Sequence, residues 1–415
     1  MAERLLVYTN HFAPEQFKIN EAVSWLLESG FKVHVVTGWP NYPNGKIFKG
    51  YGPFKNSYER KGNLTIRRLP LIPRGNASKV RLLINYLSYF TSCFFYTIYL
   101  ILFKEKYQKV LVHHTSPFLI SISAVLYKKI RGVNAVLWDL DLWPQTLEAV
   151  GIIKSDFWLK IIEKAVCGVY KNFESVLIGS SSFKKIALDR VPHNNVFYFP
   201  NWAEKVIEQN IILPNIKIDF DPKAIKIMYA GNIGTAQDFG TLCNVIIQNT
   251  DKKIQWIFIG EGRFKTKMKK QLSDEIDKRK VIFVSQQKIE NLPTWFKHAD
   301  FLYLSLNSSK LFTQTVPAKL QVYMALGKPI LAMITGEGKS IINSAKCGLC
   351  SPPGDPFKLD ELIKKALDMS EEDRKNLGEQ GKDFYHKNFS SKIRKKQLLE
   401  NLNTKTFKKL SNFTL

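Results

Sequence analysis

Short apolar runs alternate with longer amphipathic ones, twice over, and no other feature narrows the fold of this chain so sharply. Arg4-Leu-Leu-Val-Tyr-Thr9 reads as a buried strand, residues 19–28 as a helix closed by Gly30, and residues 32–37 as the next strand. The alternation resumes with a strand at 109–113, a helix through 119–130, a strand at 135–138, a helix at 157–170 and a strand at 175–179. A second set of strands follows at 225–229, 254–259, 281–284, 301–304 and 330–333, with helical patterns between them. Strands separated by helices are joined by crossovers and not hairpins, which predicts parallel, doubly wound sheets. The expected class is therefore α/β, with two Rossmann-like domains. Residues 1–205 form the first, 206–388 the second, and 389–415 a helix that packs back across the domains or turns its basic run, Lys392 to Lys396, to a membrane. Pro200-Asn-Trp202 and the aperiodic stretch 213–222 mark the connection. Open α/β sheets bind ligands at the carboxyl ends of their strands, so the active site is expected in a cleft between the two sheets.

Charge and cysteine content bound the partners and the compartment. The formal net charge is +25, from 61 Lys and Arg against 36 Asp and Glu. A field of that sign attracts nucleic acid, anionic lipid head groups and sugar-nucleotide diphosphates. The lysines are spread over the whole chain and no basic helix forms a readable nucleic-acid motif, so nucleic acid is not expected as a partner. Five cysteines, an odd number, together with an N-terminus lacking a secretory signal pattern, predict a cytoplasmic protein. Cys347-Gly-Leu-Cys350 stands alone, with no second Cys or His pair to complete a zinc or redox centre.

Residues 82–103 are apolar enough to suggest a membrane span. Strands on both sides, at 64–68 and 109–113, argue against it, because a span would put parts of one sheet on opposite faces of the membrane. Asn85, Ser88, Ser92, Tyr96 and Tyr99 form a polar stripe at helical spacing. Two readings stay open: an amphipathic helix packed on the sheet, or one whose outer apolar face, flanked by Arg74, Lys79, Arg81, Lys104 and Lys106, lies on an anionic membrane surface.

Two stretches carry ligand chemistry. Gly231-Asn-Ile-Gly234-Thr-Ala-Gln237-Asp238 turns from a strand into a helix, a geometry that brings backbone N–H groups to a phosphate. In Val316-Pro-Ala-Lys319-Leu-Gln321, the proline opens a helix with Lys319 in its first turn. A third, Asp139-Leu-Asp141, has the spacing of a metal-binding carboxylate pair, and strand periodicity puts both on one side.

The first two of these stretches, with Ile259-Gly-Glu-Gly262, Ala325-Leu-Gly-Lys-Pro329 and Cys347-Gly-Leu followed by Pro353-Gly-Asp355, resemble the successive blocks of the C-terminal domain of family 4 glycosyltransferases. Phe12-Ala-Pro-Glu15, Asn20-Glu21, Gly38-Trp-Pro-Asn-Tyr-Pro43, Gly45, Gly50-Tyr51, Asp141-Leu-Trp-Pro144 and Pro200-Asn-Trp202 resemble the branch that builds bacterial O-antigens and capsules. The resemblance implies the GT-B architecture, with the sugar nucleotide on the second domain and the acceptor on the first. It also implies retention of anomeric configuration without a bound metal or other cofactor, which assigns Asp139-Leu-Asp141 to the Asp-Leu-Trp-Pro block instead of to a metal.

On that footing His114, Asp141 and Lys319 are the expected catalytic residues. Gly231, Asn232, Gly234, Gln237, Arg263, Lys267, Gln314, Val316 and Gln321 are expected at the donor, and Lys18, Asn20, Asn41, Tyr42 and Gly45 at the acceptor. The chain departs from the family where an arginine and a lysine usually hold phosphate, having Asn232 and Gln237. It departs again where paired glutamates usually stand, having Gln314 and Val322. The implied donor is a nucleotide diphosphate sugar, uridine-linked, carrying an N-acetylated hexosamine or deoxyhexosamine. The implied acceptor is a glycan on an undecaprenyl diphosphate type lipid at the inner face of the cytoplasmic membrane. A sugar-nucleotide 2-epimerase shares the fold and is the competing enzymatic reading; a basic nucleic-acid-binding protein is the non-enzymatic one.

Overall fold

A computed structural model describes residues 2–149, 153, 155–191, 195–213, 220–249 and 253–403. Within them the chain divides into two units, one made of residues up to 199 with those from 395, the other of residues 200–394.

The first unit is built on eight strands: β1 (Arg4–Thr9), β2 (Lys32–Gly38), β3 (Tyr58–Lys61), β4 (Leu64–Leu69), β5 (Lys109–His114), β6 (Asn134–Asp139), β7 (Ser175–Ile178) and β8 (Val196–Tyr198). Their order is β3-β4-β2-β1-β5-β6-β7-β8, and every pairing is parallel except β3 with β4. Leu5, Leu6, Val7 and Tyr8 have no exposed surface, as befits a central strand covered on both faces. β3 escapes the periodicity because Tyr-Glu-Arg-Lys is a short, charged edge strand. The winding reverses between β1 and β5, which makes the carboxyl ends of those two strands this sheet's expected binding edge.

The helix proposed at 82–103 runs over Lys79–Phe103, with Ser78 as its N-cap. Its polar stripe faces inward from Asn85 to Tyr96, while Tyr99 is 40 % exposed. Asn85 Nδ2 donates to Ile72 O (2.6 Å), Ser92 Oγ to Pro70 O (2.7 Å), and Tyr96 OH meets His34 Nε2 (3.3 Å). Tyr86, Tyr89, Cys93 and Leu100 enter the core alongside the helices Ile120–Arg131 and Asp156–Tyr170. Outward it presents Val80, Leu83, Leu87, Phe95, Leu102 and Phe103, each between 48 and 71 % exposed. The amphipathicity is thus inverted relative to an ordinary surface helix. It is the one helix among the described residues long and apolar enough to cross a membrane.

The second unit carries β9 (Ile225–Ala230), β10 (Ile254–Ile259), β11 (Val281–Val284), β12 (Phe301–Ser305), β13 (Ile330–Met333) and β14 (Gly348–Ser351). All are parallel, in the order β11-β10-β9-β12-β13-β14, with the reversal between β9 and β12. β14 was not expected from Gly-Leu-Cys-Ser. A side chain at Gly348 would sit 2.1 Å from Ile330 O, so glycine is what lets this strand close on β13. Cys347 just before it and Cys350 within it are free thiols that burial pushes up to about 12 and about 11, so both stay protonated at neutral pH.

The first unit ends at residue 199, not 205. Ala203 N donates to Tyr385 OH (2.9 Å), and Glu208 accepts from Tyr385 OH (2.5 Å) and from Ser391 N (2.7 Å), which ties residues 200–208 to the unit's last helices. The C-terminal helix covers Ser391–Leu402, and the division falls inside it, after Arg394. Beyond the division, Gln397 Nε2 donates to Tyr198 O (2.7 Å) and Lys395 pairs with Glu28 (2.5 Å). Residues 404–415 of that expected segment, and 214–219 of the expected connection, lie outside the described residues.

Candidate active site residues in the two units

In the second unit, two loops interlock at the carboxyl end of β9 and β10. Gly260, at φ +146°, lies so close to the first loop that a side chain there would meet Gly231 O at 2.0 Å; at Gly262 it would meet Ile233 O at 2.2 Å. The backbone bonds between the loops use up most of the expected phosphate donors. Gly231 N–H goes to Ile259 O (2.9 Å), Ile233 N–H to Glu261 O (2.8 Å) and Gly234 N–H to Gln237 Oε1 (3.0 Å). Gln237 is buried, and its Oε1 braces its own loop. It also narrows the cradle: Asn232 is exposed, its backbone oxygen accepting from Tyr229 OH (2.6 Å) and its side-chain amide making no hydrogen bond among the described residues.

The charge comes from Lys319. Pro317 caps the helix Ala318–Ala325, and from its first turn Lys319 reaches over Gly231, where an added Cβ would lie 2.4 Å from its Cε. Its Nζ stands 5.0 Å from the centre of the Tyr229 ring. No hydrogen-bond acceptor or carboxylate pairs with it among the described residues, and desolvation lowers its pKa from 10.5 to about 8. A half-buried cation with a π face behind it and nothing in front of it is arranged to receive an anion.

The remaining donor candidates separate. Arg263 is exposed on the second loop and unpaired among the described residues, within the same loop system. Lys267, also exposed, lies over the Phe264 ring, 5.4 Å from its centre. Gln321 has 1 % exposure, and its amide nitrogen sits 2.9 Å from Pro317 O and 3.1 Å from Ala318 O. It closes its own helix and is not presented to a ribose. Gln314 and Val316 are half-buried in the stretch before Pro317.

In the first unit, the expected residues gather at the carboxyl ends of β1, β5 and β6. His114, fully buried, donates its Nδ1–H to Asp139 Oδ1, and Tyr170 OH donates to the other oxygen of Asp139. That arrangement fixes the His114 tautomer and leaves Nε2 without a partner. Asp141 accepts from Ser116 N–H (2.8 Å) and Ser116 Oγ (2.9 Å). Burial raises the Asp141 carboxyl pKa, Asp139 adds to the rise, and His114, Ser116 and Arg74 oppose it. The two carboxylates are thus engaged by different partners, and among the described residues no group of three or more His, Cys, Asp or Glu is placed to hold a metal.

The expected acceptor residues turn out to be mostly framework. Asn20 clamps the preceding loop, accepting from Ala13 N–H (3.1 Å) and donating to Glu15 O (2.7 Å). Asn41 has 1 % exposure and accepts from Arg74 N–H (3.3 Å). Gly45, at φ +70°, presses on Gly75, whose oxygen would lie 1.9 Å from an added Cβ. Lys18 is half-buried at the start of the helix Lys18–Glu28. Tyr42, by contrast, is 42 % exposed and open to a ligand. The group these residues surround, Arg74 with His11 and Glu15, was not singled out from the sequence. Its members are separated by up to 63 positions, and Arg74 reads in isolation as one more basic flank of the long helix.

Residues 216–384 match the family model described as "Glycosyl transferases group 1". Two bacterial relatives cover most of the chain. WcaI of Escherichia coli (strain K12), named for colanic acid biosynthesis glycosyl transfer, is 25 % identical over 349 residues, 80 % of this chain and 83 % of that one. WbjE of Pseudomonas aeruginosa, named as a glycosyltransferase, is 25 % identical over 77 % of this chain and 80 % of its own. A solved E. coli structure, titled trehalose-6-phosphate bound with UDP-2-fluoro glucose, superposes with a TM-score of 0.69 at 13 % identity, covering 97 % of this chain and 100 % of that one.

Proposed function

We propose that this chain, a group 1 glycosyltransferase of GT-B fold, moves a sugar from a uridine diphosphate sugar onto a lipid-linked glycan during synthesis of a bacterial surface polysaccharide. The observation that carries the reading is Lys319, a partly desolvated ammonium without a counter-ion among the described residues, set over the close-packed glycine turn at the carboxyl edge of β9. Relatives named for glycosyl transfer, one of them in colanic acid biosynthesis, support the same class. The transferred sugar, an N-acetylated hexosamine or deoxyhexosamine, and retention at its anomeric carbon belong to the proposal.

In the retaining reaction the bond from the anomeric carbon to the diphosphate breaks. The acceptor oxygen bonds to the same face, and the acceptor's proton passes to a diphosphate oxygen. Lys319, Asn232 and Arg263 stabilise the charge that builds on the leaving diphosphate, which is where a fixed cation contributes most. In the first unit His114, its tautomer held by Asp139, is fully buried and shapes the carboxyl edge of β5, and the half-buried Asp141 carboxyl is the polar group suited to a sugar hydroxyl. No metal is assigned a part, and Asp139 and Asp141 are committed to His114, Tyr170 and Ser116.

The acceptor's lipid is reached at the inner face of the cytoplasmic membrane, with the outer face of the helix Lys79–Phe103 on the bilayer. No acidic residue occurs between Glu59 and Glu105, whereas Arg60, Lys61, Arg67, Arg68, Arg74, Lys79, Arg81 and Lys104 do. That stretch suits anionic head groups.

One experiment tests both parts. The chain is incubated with a uridine diphosphate sugar and a lipid-linked glycan in anionic vesicles or in detergent, and the products are identified by mass spectrometry. The expected product is the extended glycolipid, formed only with acceptor present. The variant Leu83→Ser/Phe95→Ser/Leu102→Ser is expected to lose transfer in vesicles by roughly tenfold or more while keeping it in detergent, since these side chains are 48 to 65 % exposed and that apolar surface is covered only by lipid. An epimerised sugar nucleotide formed without acceptor contradicts glycosyl transfer. Equal loss in detergent contradicts the membrane role of the helix.

A further inference from the structure

One cation in the first unit is braced from several sides yet has no carboxylate within ion-pair distance among the described residues, Asp141 acting on it only from farther off. The Arg74 guanidinium donates through Nη2 to His11 Nε2 (2.9 Å) and lies over the Tyr42 ring, 5.3 Å from its centre. His11 can accept there because its other nitrogen donates to Glu15 Oε2 (2.8 Å), and its ring is stacked on Phe17 with centroids 4.6 Å apart. Glu15 is in turn saturated. Its second oxygen takes Asn41 N–H (2.8 Å) and Tyr42 N–H (2.6 Å), and the residue is 2 % exposed. The Arg74 backbone is held as well, by Asn41 Oδ1 at 3.3 Å and by the adjoining bond from Gly75 N–H to Gly45 O at 2.9 Å.

The Glu15 carboxylate is therefore spent orienting His11 and stands one ring away from Arg74. No carboxylate lies within ion-pair distance of Arg74 among the described residues, and Arg74 Nε has no acceptor. An arginine needed only as a brace would neutralise itself on a carboxylate, as Arg190 does on Glu163 at 2.7 Å in the same unit. Arg74 instead has no carboxylate within ion-pair distance, feels Asp141 only from farther off, and has no hydrogen bond at Nη1 among the described residues, the end of the fork left for a ligand. It also stands four residues before Ser78, the N-cap of the helix whose apolar face is open.

We infer that Arg74 is an anion-binding residue that takes phosphate oxygens of the acceptor's lipid diphosphate, with Tyr42 beneath it and the His11–Glu15 pair as its positioning residues. This rests on the proposed lipid-linked acceptor for the identity of the ligand, though not for the existence of the site. Planar, forked donors suit a phosphate better than a single ammonium would. The expected acceptor residues Asn41, Tyr42 and Gly45 acquire a physical role from it: they are the mould that holds a charge.

The test uses the full chain carrying Lys319→Ala, so that phosphate binding at the other unit does not intrude. Two probes are titrated by calorimetry, inorganic pyrophosphate and a short-chain prenyl diphosphate. Binding of the prenyl diphosphate is expected, and adding Arg74→Gln is expected to weaken it by roughly 10- to 100-fold, the loss of charge-assisted bonds. Arg74→Lys is expected to recover part of that affinity, and Glu15→Gln to weaken binding less than Arg74→Gln. Thermal unfolding of each variant confirms that it is folded. Pyrophosphate binding that depends on Arg74, without any prenyl diphosphate binding, keeps the anion site and contradicts the lipid-linked acceptor. Prenyl diphosphate binding unaffected by Arg74→Gln overturns the site and leaves the acceptor reading standing. Failure of the Lys319→Ala chain to bind either probe overturns the inference.

Discussion

Replacing Lys319 with alanine is expected to lower kcat/KM for sugar transfer by roughly 10²- to 10³-fold, the usual cost of removing one preorganised donor from a leaving oxyanion. The melting temperature is not expected to fall by more than about 2 °C, because the ammonium has no partner among the described residues to lose and its burial disfavours the charged form. The pH dependence separates this account from a structural one. Burial lowers the lysine from 10.5 to about 8, so the folded chain holds this proton less tightly than the unfolded chain. Its contribution to stability is therefore least favourable below pH 8 and improves as pH rises from about 8 towards 10.5. Diphosphate affinity runs the other way, since the ammonium is lost as pH rises through its folded value. Wild-type protein should show weakening of uridine diphosphate binding above pH 8, and Lys319→Ala should lack that step. A variant with wild-type turnover removes Lys319 from the site.

The second large effect is expected at Gly260. Alanine there must place its Cβ where Gly231 O stands, 2.0 Å away, at a φ of +146° that side chains avoid. Overpacking against backbone and conformational strain each cost on the order of 1–3 kcal/mol, so a combined loss of about 3 kcal/mol or more is expected. For a unit of this size that corresponds to a fall of roughly 6–12 °C in the melting transition. Uridine diphosphate binding should weaken as well, because the displaced Gly231 loop lies directly under Lys319. Gly240→Ala is the control. That glycine lies in the helix Phe239–Gln248 with nothing within 4 Å of an added Cβ, and its replacement should leave the transition unchanged or raise it. A Gly260→Ala chain that melts with the wild type contradicts the interlocked-loop account.

Much of the second unit was legible because its features are local. Strand, glycine turn and capped helix follow one another within a dozen residues, and the position of Lys319 is fixed by Pro317 two residues earlier. Identity is legible in a sequence where availability is not. Gln237 and Gln321 are amides of the right kind in the right loops, and each spends one polar atom on backbone a few residues away. Pattern recognition sees the amide and not the competing local bond. The polar stripe on Lys79–Phe103 was found correctly, yet its direction depends on whether residues 70–72 offer it backbone groups, and Pro70 O and Ile72 O do. That turns the apolar face outward. The Arg74 cluster is assembled from four separate segments, at 11–17, 20, 41–45 and 74–75, and only folding brings them together.

The account stands or falls on a uridine diphosphate held by Lys319 without a metal. Calorimetric titration of the purified chain with uridine diphosphate, in the presence of a chelator and with guanosine diphosphate as the comparison, measures it directly. Saturable binding is expected, tighter for the uridine nucleotide and lost in Lys319→Ala. Absence of binding, or binding that returns only when manganese is added, contradicts it and turns attention back to Asp139 and Asp141.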